Sequence, residues 1–393
     1  MSFAQILEDI NGENSRRMNS KVPEWSGIEG LRFPTRLCAE QCSSGKAAFL
    51  KIEAAADLCA DGDRSSLKEW DIADLTGGIG VDSWAFSHNF AQVLHNEKDK
   101  DLSQAAEHNF KLLGAKGIRT SNIEITPINI LEVLNTNFER SERPTLVYLD
   151  PARRSGSGGK VFRISDCTPN VLDLLPIIFQ RCRYAMIKLS PMADIDLCIK
   201  ELNGALGIQA VKEVNCIGVS GECKELLFCL DKQNDSPALI TVRDGDFRFS
   251  FTRDQESKAK ARFPESERLD EWLFEPGSAL AKSGGFKLVS ERFSIAKLAT
   301  STQLYLSGTF IPELSDAGKW FRIKEVLPFS KESAGRISRD YPQCEVSSRN
   351  LPIRSDELRK RLRVRSGGNI HIFGLLAETA GGQKKLLLVC ECE

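Results

Sequence analysis

The sequence predicts an α/β chain: a doubly wound parallel sheet closed by an antiparallel hairpin, with helices before it and small α+β units after it. Three observations predict this. Apolar runs recur at about 71–75, 91–95, 122–126, 145–149 and 184–189, with helical stretches such as Leu102–Leu113 and Val171–Cys182 between them, and strands alternating with helices read as parallel crossovers. The glycines of Thr76-Gly77-Gly78-Ile79-Gly80 follow the first run, where such a sheet turns from strand to helix. The runs Ala210–Val219 and Lys224–Leu230 are joined only by Ser220-Gly221-Glu222, which makes them a hairpin rather than another crossover.

In chain order, residues 1–60 form a helical segment, with Ile6, Ile10, Leu37, Phe49, Leu50 and Ile52 spaced for an apolar stripe. The parallel-sheet domain spans 61–231. Residues 232–270 are a linker and hairpin: Lys232-Gln233-Asn234-Asp235-Ser236 is polar, and Ala238–Thr252 turns at Asp244-Gly245. From about 271 short strands and helices alternate, giving one small α+β unit over 271–314 and another over 315–393.

A chain of 393 residues is too long for one ordinary core. With 41% hydrophobic residues, 27% charged and a formal net charge of -1, it has no global attraction to a polyanion. Any basic surface must be local. The segment 316–393 supplies one, with 15 Lys and Arg against 10 Asp and Glu. Seven of these basic residues, Arg349, Arg354, Arg359, Lys360, Arg361, Arg363 and Arg365, could form a phosphate-contacting face or a solvated helix face. No stretch approaches the ~20 apolar residues of a membrane span and the N-terminus carries no signal pattern, so a cytoplasmic location is expected. Twelve cysteines include no Cys-x-x-Cys pair, and His88, His95 and His108 lack a carboxylate at ligand spacing. No metal site and no disulfide framework is expected.

The richest segment is Asp74-Leu75-Thr76-Gly77-Gly78-Ile79-Gly80-Val81-Asp82. Its glycines bring bare N–H groups against a ligand, and Glu97, at the tip of the second strand, is placed to accept hydrogen bonds from two ribose hydroxyls about 20 residues on. Asp74 inside the turn would repel a pyrophosphate and suit an ammonium group. The cofactor expected is therefore S-adenosylmethionine rather than a dinucleotide, held by Asp74, Gly77, Gly78, Gly80 and Glu97, with Asn129 near the end of the third strand facing the adenine.

The fourth strand ends in Asp150-Pro151-Ala152-Arg153-Arg154. At that tip a carboxylate and a proline-shaped carbonyl can hold an amino group in line with a sulfonium methyl and help drain its proton. Asp150, Pro151 and Arg153 are the catalytic candidates, and Arg154 is a substrate contact. Enzymes with an Asp-Pro-Pro-aromatic motif stack the target base on the ring; here Ala152 and Arg153 stand instead, and a guanidinium can stack in its place. Pyrimidine-C5 chemistry needs a thiolate after the next strand, where this chain has Ser190, a poor nucleophile by comparison. Glu40-Gln41-Cys42-Ser43-Ser44, upstream of the loop, reads equally as a helix N-cap or as a segment closing on the methionine carboxylate.

These blocks, together with Ser190-Pro191-Met192-Ala193-Asp194-Ile195 and Glu222-Cys223-Lys224-Glu225-Leu226-Leu227, resemble a bacterial family of class I S-adenosylmethionine-dependent methyltransferases with a ferredoxin-like unit and a THUMP-like C-terminal domain. The segment from Trp272-Leu273-Phe274-Glu275-Pro276 to Ser307 resembles the ferredoxin-like unit, and Arg349-Asn350-Leu351-Pro352 with Leu358-Arg359-Lys360 resembles the terminal domain. The resemblance implies a Rossmann-like methyltransferase sheet and, by analogy with THUMP domains proper, an RNA substrate, tRNA or rRNA. The expected activity is methylation of an exocyclic purine amine in RNA, with Arg349, Arg354, Arg359 and Lys360 docking the RNA. A non-catalytic S-adenosylmethionine-binding RNA-binding protein, and a methyltransferase of protein or small molecules, are the alternatives.

Overall fold

The computed structural model describes residues 3–138, 141–153, 163–265, 269, 271–379 and 382–393. The chain divides into two compact units, one of residues 1–219 and 224–241 and one of 220–223 and 242–393.

The first unit opens with helices α1 (Phe3–Lys21), α2 (Arg36–Gln41) and α3 (Gly45–Cys59). Helix α2 starts where the Thr35 side chain accepts from the Cys38 N–H, and α3 where Ser44 accepts from Ala47, each satisfying a backbone donor that the first turn leaves without a partner. Alanines 47, 48, 54, 55 and 56 let α3 be enclosed on nearly every side. Trp25 fixes this segment to the rest: it is buried, stacked beside Phe33 and edge-on to Trp84 at 5.7 Å.

The alternation then runs β1 (Asp71–Asp74), α4 (Val81–Ser87), β2 (Gln92–Asn96), α5 (Lys100–Leu112), β3 (Ile118–Ser121), α6 (Ile130–Phe138) and β4 (Thr145–Leu149). It continues through the two-residue strands β5 (Ala152–Arg153) and β6 (Cys167–Thr168), which pair with each other, to α7 (Val171–Arg181), β7 (Tyr184–Leu189), α8 (Ile195–Leu206), β8 (Val211–Val219) and β9 (Glu222–Asp231). Seven neighbouring strands of a nine-stranded sheet follow the order β3-β2-β1-β4-β7-β9-β8. Strands β1, β2, β3, β4 and β7 are parallel, and β9 runs antiparallel to β7. This is the doubly wound sheet with its closing hairpin. Ser220 and Gly221 turn the hairpin with φ of +55° and +80°, the left-handed pair of a tight two-residue turn. The order reverses direction between β1 and β4, and at such a switch point the loops leaving two neighbouring strands diverge to open a crevice.

The third strand departs from expectation, lying at 118–121 rather than 122–126. The alternation Ile123-Glu124-Ile125 suits a strand, but the Asn96 side chain bonds both Ile123 N–H and Ile123 C=O, and Asn122 donates to the carbonyls of Glu97 and Lys98. Side-chain amides occupy the backbone groups a strand neighbour would need.

In the second unit β10 (Leu239–Asp244), which starts in the first, and β11 (Phe247–Thr252) form the expected second hairpin, followed by α9 (Arg253–Lys258). Next come β12 (Trp272–Pro276), α10 (Ser278–Ser283), α11 (Phe286–Arg292), β13 (Ala296–Ala299), β14 (Thr302–Ser307), β15 (Gly318–Pro328), α12 (Lys331–Asp340), β16 (Glu345–Arg349), α13 (Ser355–Leu362), β17 (Ile370–Thr379) and β18 (Gly382–Cys392). Seven of these strands form one sheet in the order β13-β14-β12-β15-β18-β17-β16. Alternate residues of β18 serve two cores: Leu388 and Cys390 pack with Phe321 and Phe373, while Leu387 and Val389 pack with Ile337, Leu358 and Leu362 of the two terminal helices. The strand's period of two thus explains an unbroken apolar run, because both faces are covered.

Trp25→Ala should cost about 3–5 kcal/mol of unfolding free energy, as truncation of a buried aromatic does, measured by urea denaturation; a loss below about 1 kcal/mol would mean that the helical segment is anchored elsewhere.

Candidate active site

The loop after β1 is shaped by three glycines for three different reasons. A Cβ on Gly77 would come within 2.2 Å of the His95 ring, and one on Gly80, at φ +93°, within 2.4 Å of Phe110. Gly78 also has a left-handed φ, +57°, yet a Cβ there would meet nothing within 4 Å. The first and third glycines let the loop sit against the sheet; the second leaves backbone facing open space. Glu97 closes the arrangement from β2: one carboxylate oxygen accepts from Gly78 N–H at 2.9 Å and the other from Asp99 N–H at 2.8 Å. Each oxygen keeps a further lone pair for a ligand donor.

Asp74 is turned inward. It has no exposed surface, and its carboxyl is engaged by the Ser83 hydroxyl at 2.6 Å and by Thr76 N–H. Burial, opposed by the Ser83 hydrogen bond and reinforced by the nearby Asp82, pushes its pKa up to about 8. Ser83 also touches Nδ1 of His95 at 2.9 Å, and burial pushes that imidazole down to about 3. At neutral pH Asp74 is therefore a protonated linker within the loop rather than a negative charge presented by it.

Asp150 leaves β4 at the switch point, tied to the glycine loop because its N–H donates to Thr76 Oγ1 at 2.6 Å. Its side chain is 34% exposed, and Oδ2 accepts from Lys188 Nζ at 2.5 Å. Behind it lies a buried chain of charges. Lys188 reaches Glu225 at 3.7 Å, Glu225 pairs with Lys51 at 3.0 Å, and Lys51 pairs with Asp82 at 2.7 Å. Ser43 and Tyr148 each donate a hydroxyl to Asp82 Oδ2, at 2.9 and 2.8 Å, and Lys51 donates to Ser43 at 2.6 Å. Burial alone would lower the Lys188 pKa, but Asp150, Glu225 and Asp82 together hold it well above its ordinary value, so it stays an ammonium. Burial likewise opposes the charge on Asp82, yet Lys51 and Lys188 keep its pKa below the usual range, whereas burial dominates at Glu225 and raises it.

Lys51, Lys188, Glu225 and Tyr148 were not expected at the site. The signal was present: each ionisable one stands inside an otherwise buried helix or strand, where a charge persists only with a partner. Of the Glu40–Ser44 block, Ser44 takes the N-cap role at α3, and Ser43 joins the charge chain, a place neither reading gave it.

Asn129 precedes α6, and its amide is committed to Thr126 N–H and Glu124 C=O within its own loop; next to it Ile128 is 95% exposed. Pro151 is buried, Arg153 lies in β5, and Arg154 lies outside the described residues. Of the C-terminal candidates, Arg349 forks onto Glu275 and Arg359 pairs with Asp356. Arg354 and Lys360 are exposed, Arg354 at the N-cap of α13. Among the described residues there is no group of three or more His, Cys, Asp or Glu that could hold a metal, and no helix long and apolar enough to cross a membrane.

Residues 272–314 match the model of a ferredoxin-like domain, and residues 318–392 the model of a THUMP domain-like family. The second unit carries a ferredoxin-like domain followed by a THUMP-like one. Across 97% of its length the chain is similar to a solved protein of Porphyromonas gingivalis W83 proposed to be a methyltransferase, with 28% identity, 88% of that chain covered and a TM-score of 0.77. The fold is thus a class I methyltransferase sheet joined to ferredoxin-like and THUMP-like domains, as the sequence resemblance implies. More distant matches include a T. thermophilus 16S rRNA N2 G1207 methyltransferase solved with AdoMet and guanosine, at 14% identity over 48% of this chain and 43% of that one with a TM-score of 0.30. Another is a human methyltransferase 10 domain containing protein, at 14% identity over 60% of this chain and 100% of that one with a TM-score of 0.39. At these scores neither bears on function. No curated protein matches the chain.

A carboxyl with a raised folded pKa contributes stability that is full below its unfolded value of about 4 and is lost as pH rises through about 8. Wild type should therefore lose stability relative to Asp74→Asn between about pH 5 and about pH 8, by about 1 kcal/mol per pH unit. Parallel urea-unfolding curves for the two proteins across that range would show that Asp74 is ionised throughout.

Proposed function

We propose that this protein is an S-adenosylmethionine-dependent methyltransferase acting on an exocyclic purine amine in RNA. The observation that carries the reading is the meeting of the glycine loop, Glu97 and the half-exposed carboxylate of Asp150 around the β1/β4 switch point. The residues suit the cofactor: open backbone at Gly78 and a carboxylate at the tip of β2 with acceptor capacity left for ribose hydroxyls. When bound, the cofactor supplies a methyl group activated on a sulfonium. What remains for the chain is alignment and disposal of the proton the amine sheds, which the 34% exposed Asp150 carboxylate can pass to water. Asp150 has one oxygen on Lys188, and its other oxygen can accept an N–H of the incoming amine and orient the nitrogen lone pair. Arg153 is proposed to stack on the base. Asp74 serves through the loop geometry it maintains.

An RNA substrate is supported by the THUMP-like domain and by the exposed basic residues of α13 and the segment after it, Lys360, Arg361, Arg363 and Arg365. Arg354 is exposed and available, while Arg349 and Arg359 have carboxylate partners. A docking role would therefore fall mainly on the exposed set.

The test is transfer of labelled methyl from S-adenosylmethionine into the RNA, protein and small-molecule fractions of cells lacking the protein, with the RNA then digested to nucleosides. Wild type should label one modified purine, and Asp150→Ala should slow transfer by about 10²–10⁴-fold while leaving cofactor affinity within about twofold. Glu97→Ala should weaken cofactor binding by about 1–3 kcal/mol in calorimetry. Label appearing in protein or small molecules instead of RNA would transfer the activity to that substrate class, and a full-rate Asp150→Ala would remove that residue from the mechanism.

A further inference from the structure

We propose that Lys188 is the positioning residue for Asp150, and that the buried chain Lys188–Glu225–Lys51–Asp82 exists to hold that lysine in place; the inference rests on the methyl-transfer reading above. The four inner charges, two lysines and two carboxylates, formally balance each other, and three of the four side chains are at most 9% exposed, with Lys188 at 12%. These four charges cancel without Asp150. A purely structural ion cluster of that kind has no need to continue to a 34% exposed carboxylate at the edge of the crevice. It does continue, through the ion pair of Lys188 Nζ with Asp150 Oδ2.

The geometry gives Lys188 little choice of position. It extends from β7, with β4 and Asp150 on one side and β9, whose Leu226 faces Leu189, on the other. Glu225 is shared with Lys51 of α3, and Lys51 reaches Asp82 in the first turn of α4, directly after the glycine loop. One oxygen of Asp150 is thereby fixed relative to the loop expected to hold the cofactor, leaving the other at a defined angle for the substrate N–H. Lys188 remains an ammonium, so its role is orientation rather than proton removal.

The experiment compares wild type, Lys188→Met and the double variant Lys188→Met/Glu225→Gln. The double variant removes one charge of each sign from the pair, whereas Lys188→Met alone takes away an ammonium that faces Glu225. Methyl transfer is measured on RNA, protein and small-molecule fractions from cells lacking the protein, and each rate is divided by the number of sites that bind S-adenosylmethionine in calorimetry. The double variant is expected to regain the unfolding midpoint lost in Lys188→Met, to bind S-adenosylmethionine within about twofold of wild type, and still to show kcat about 10²-fold lower at unchanged KM, the size of loss a misplacement of about an ångström produces. Should it not fold, Lys188→Arg keeps the charge and shifts the donor, and the same loss of kcat is expected. A wild-type rate per binding site in the double variant, or in Lys188→Arg where only that folds, overturns this inference and leaves the methyl-transfer reading standing. A wild type that labels none of the three fractions overturns both.

Discussion

Lys51 has no exposed surface, and burying an ammonium costs several kcal/mol unless opposite charges and hydrogen-bond acceptors surround it. Asp82, Glu225 and Ser43 do so, and they come from α4, β9 and the turn before α3. The helical segment, the glycine loop's helix and the closing hairpin must therefore be in register before the charge is compensated. Such a cluster adds little to stability over an apolar core of equal volume, but it discriminates sharply against misplacement of any one of those elements. The Tyr148 ring, 5.6 Å from the Lys51 ammonium, adds a fourth element, β4, to the same condition.

Two aspartates eight positions apart illustrate how environment sets chemical state. Asp74 meets only neutral donors and two other carboxylates, so burial keeps its proton on; Asp82, almost as buried, meets two ammonium groups and two hydroxyls, so its charge survives. The loop between them is braced at one end by a neutral hydrogen-bond linker through Ser83 and at the other by an ion pair. Between these braces, Gly78 is the position where backbone faces open space.

The parts of the site legible in the sequence are those whose signal is local. A glycine run after an apolar strand, an acidic residue at the next strand's tip and Asp-Pro at the fourth strand's end each announce their place within a few residues, and the sheet positions them as expected. The charge chain was hidden because its members are local anomalies with distant partners: Lys51 and Glu225 are 174 positions apart by their residue numbers. Lys188 in Tyr184-Ala185-Met186-Ile187-Lys188-Leu189 marks a charge that must be compensated, but nothing nearby says by what. The third strand failed for the opposite reason, a convincing local alternation overridden by the side-chain amides of Asn96 and Asn122.

The same distinction bears on the basic run near the C-terminus. Counted along the chain, its seven cations look equivalent; in the fold, Arg349 is neutralised by Glu275 and Arg359 by Asp356, while Arg361 lies over the Phe329 ring at 5.0 Å. A phosphate would have to compete with a carboxylate at the first two, but at Arg361 it would meet a guanidinium whose plane is already supported and whose charge remains available. The sequence gives the amount of positive charge, and the carboxylates folded against it decide how much is left for a polyanion.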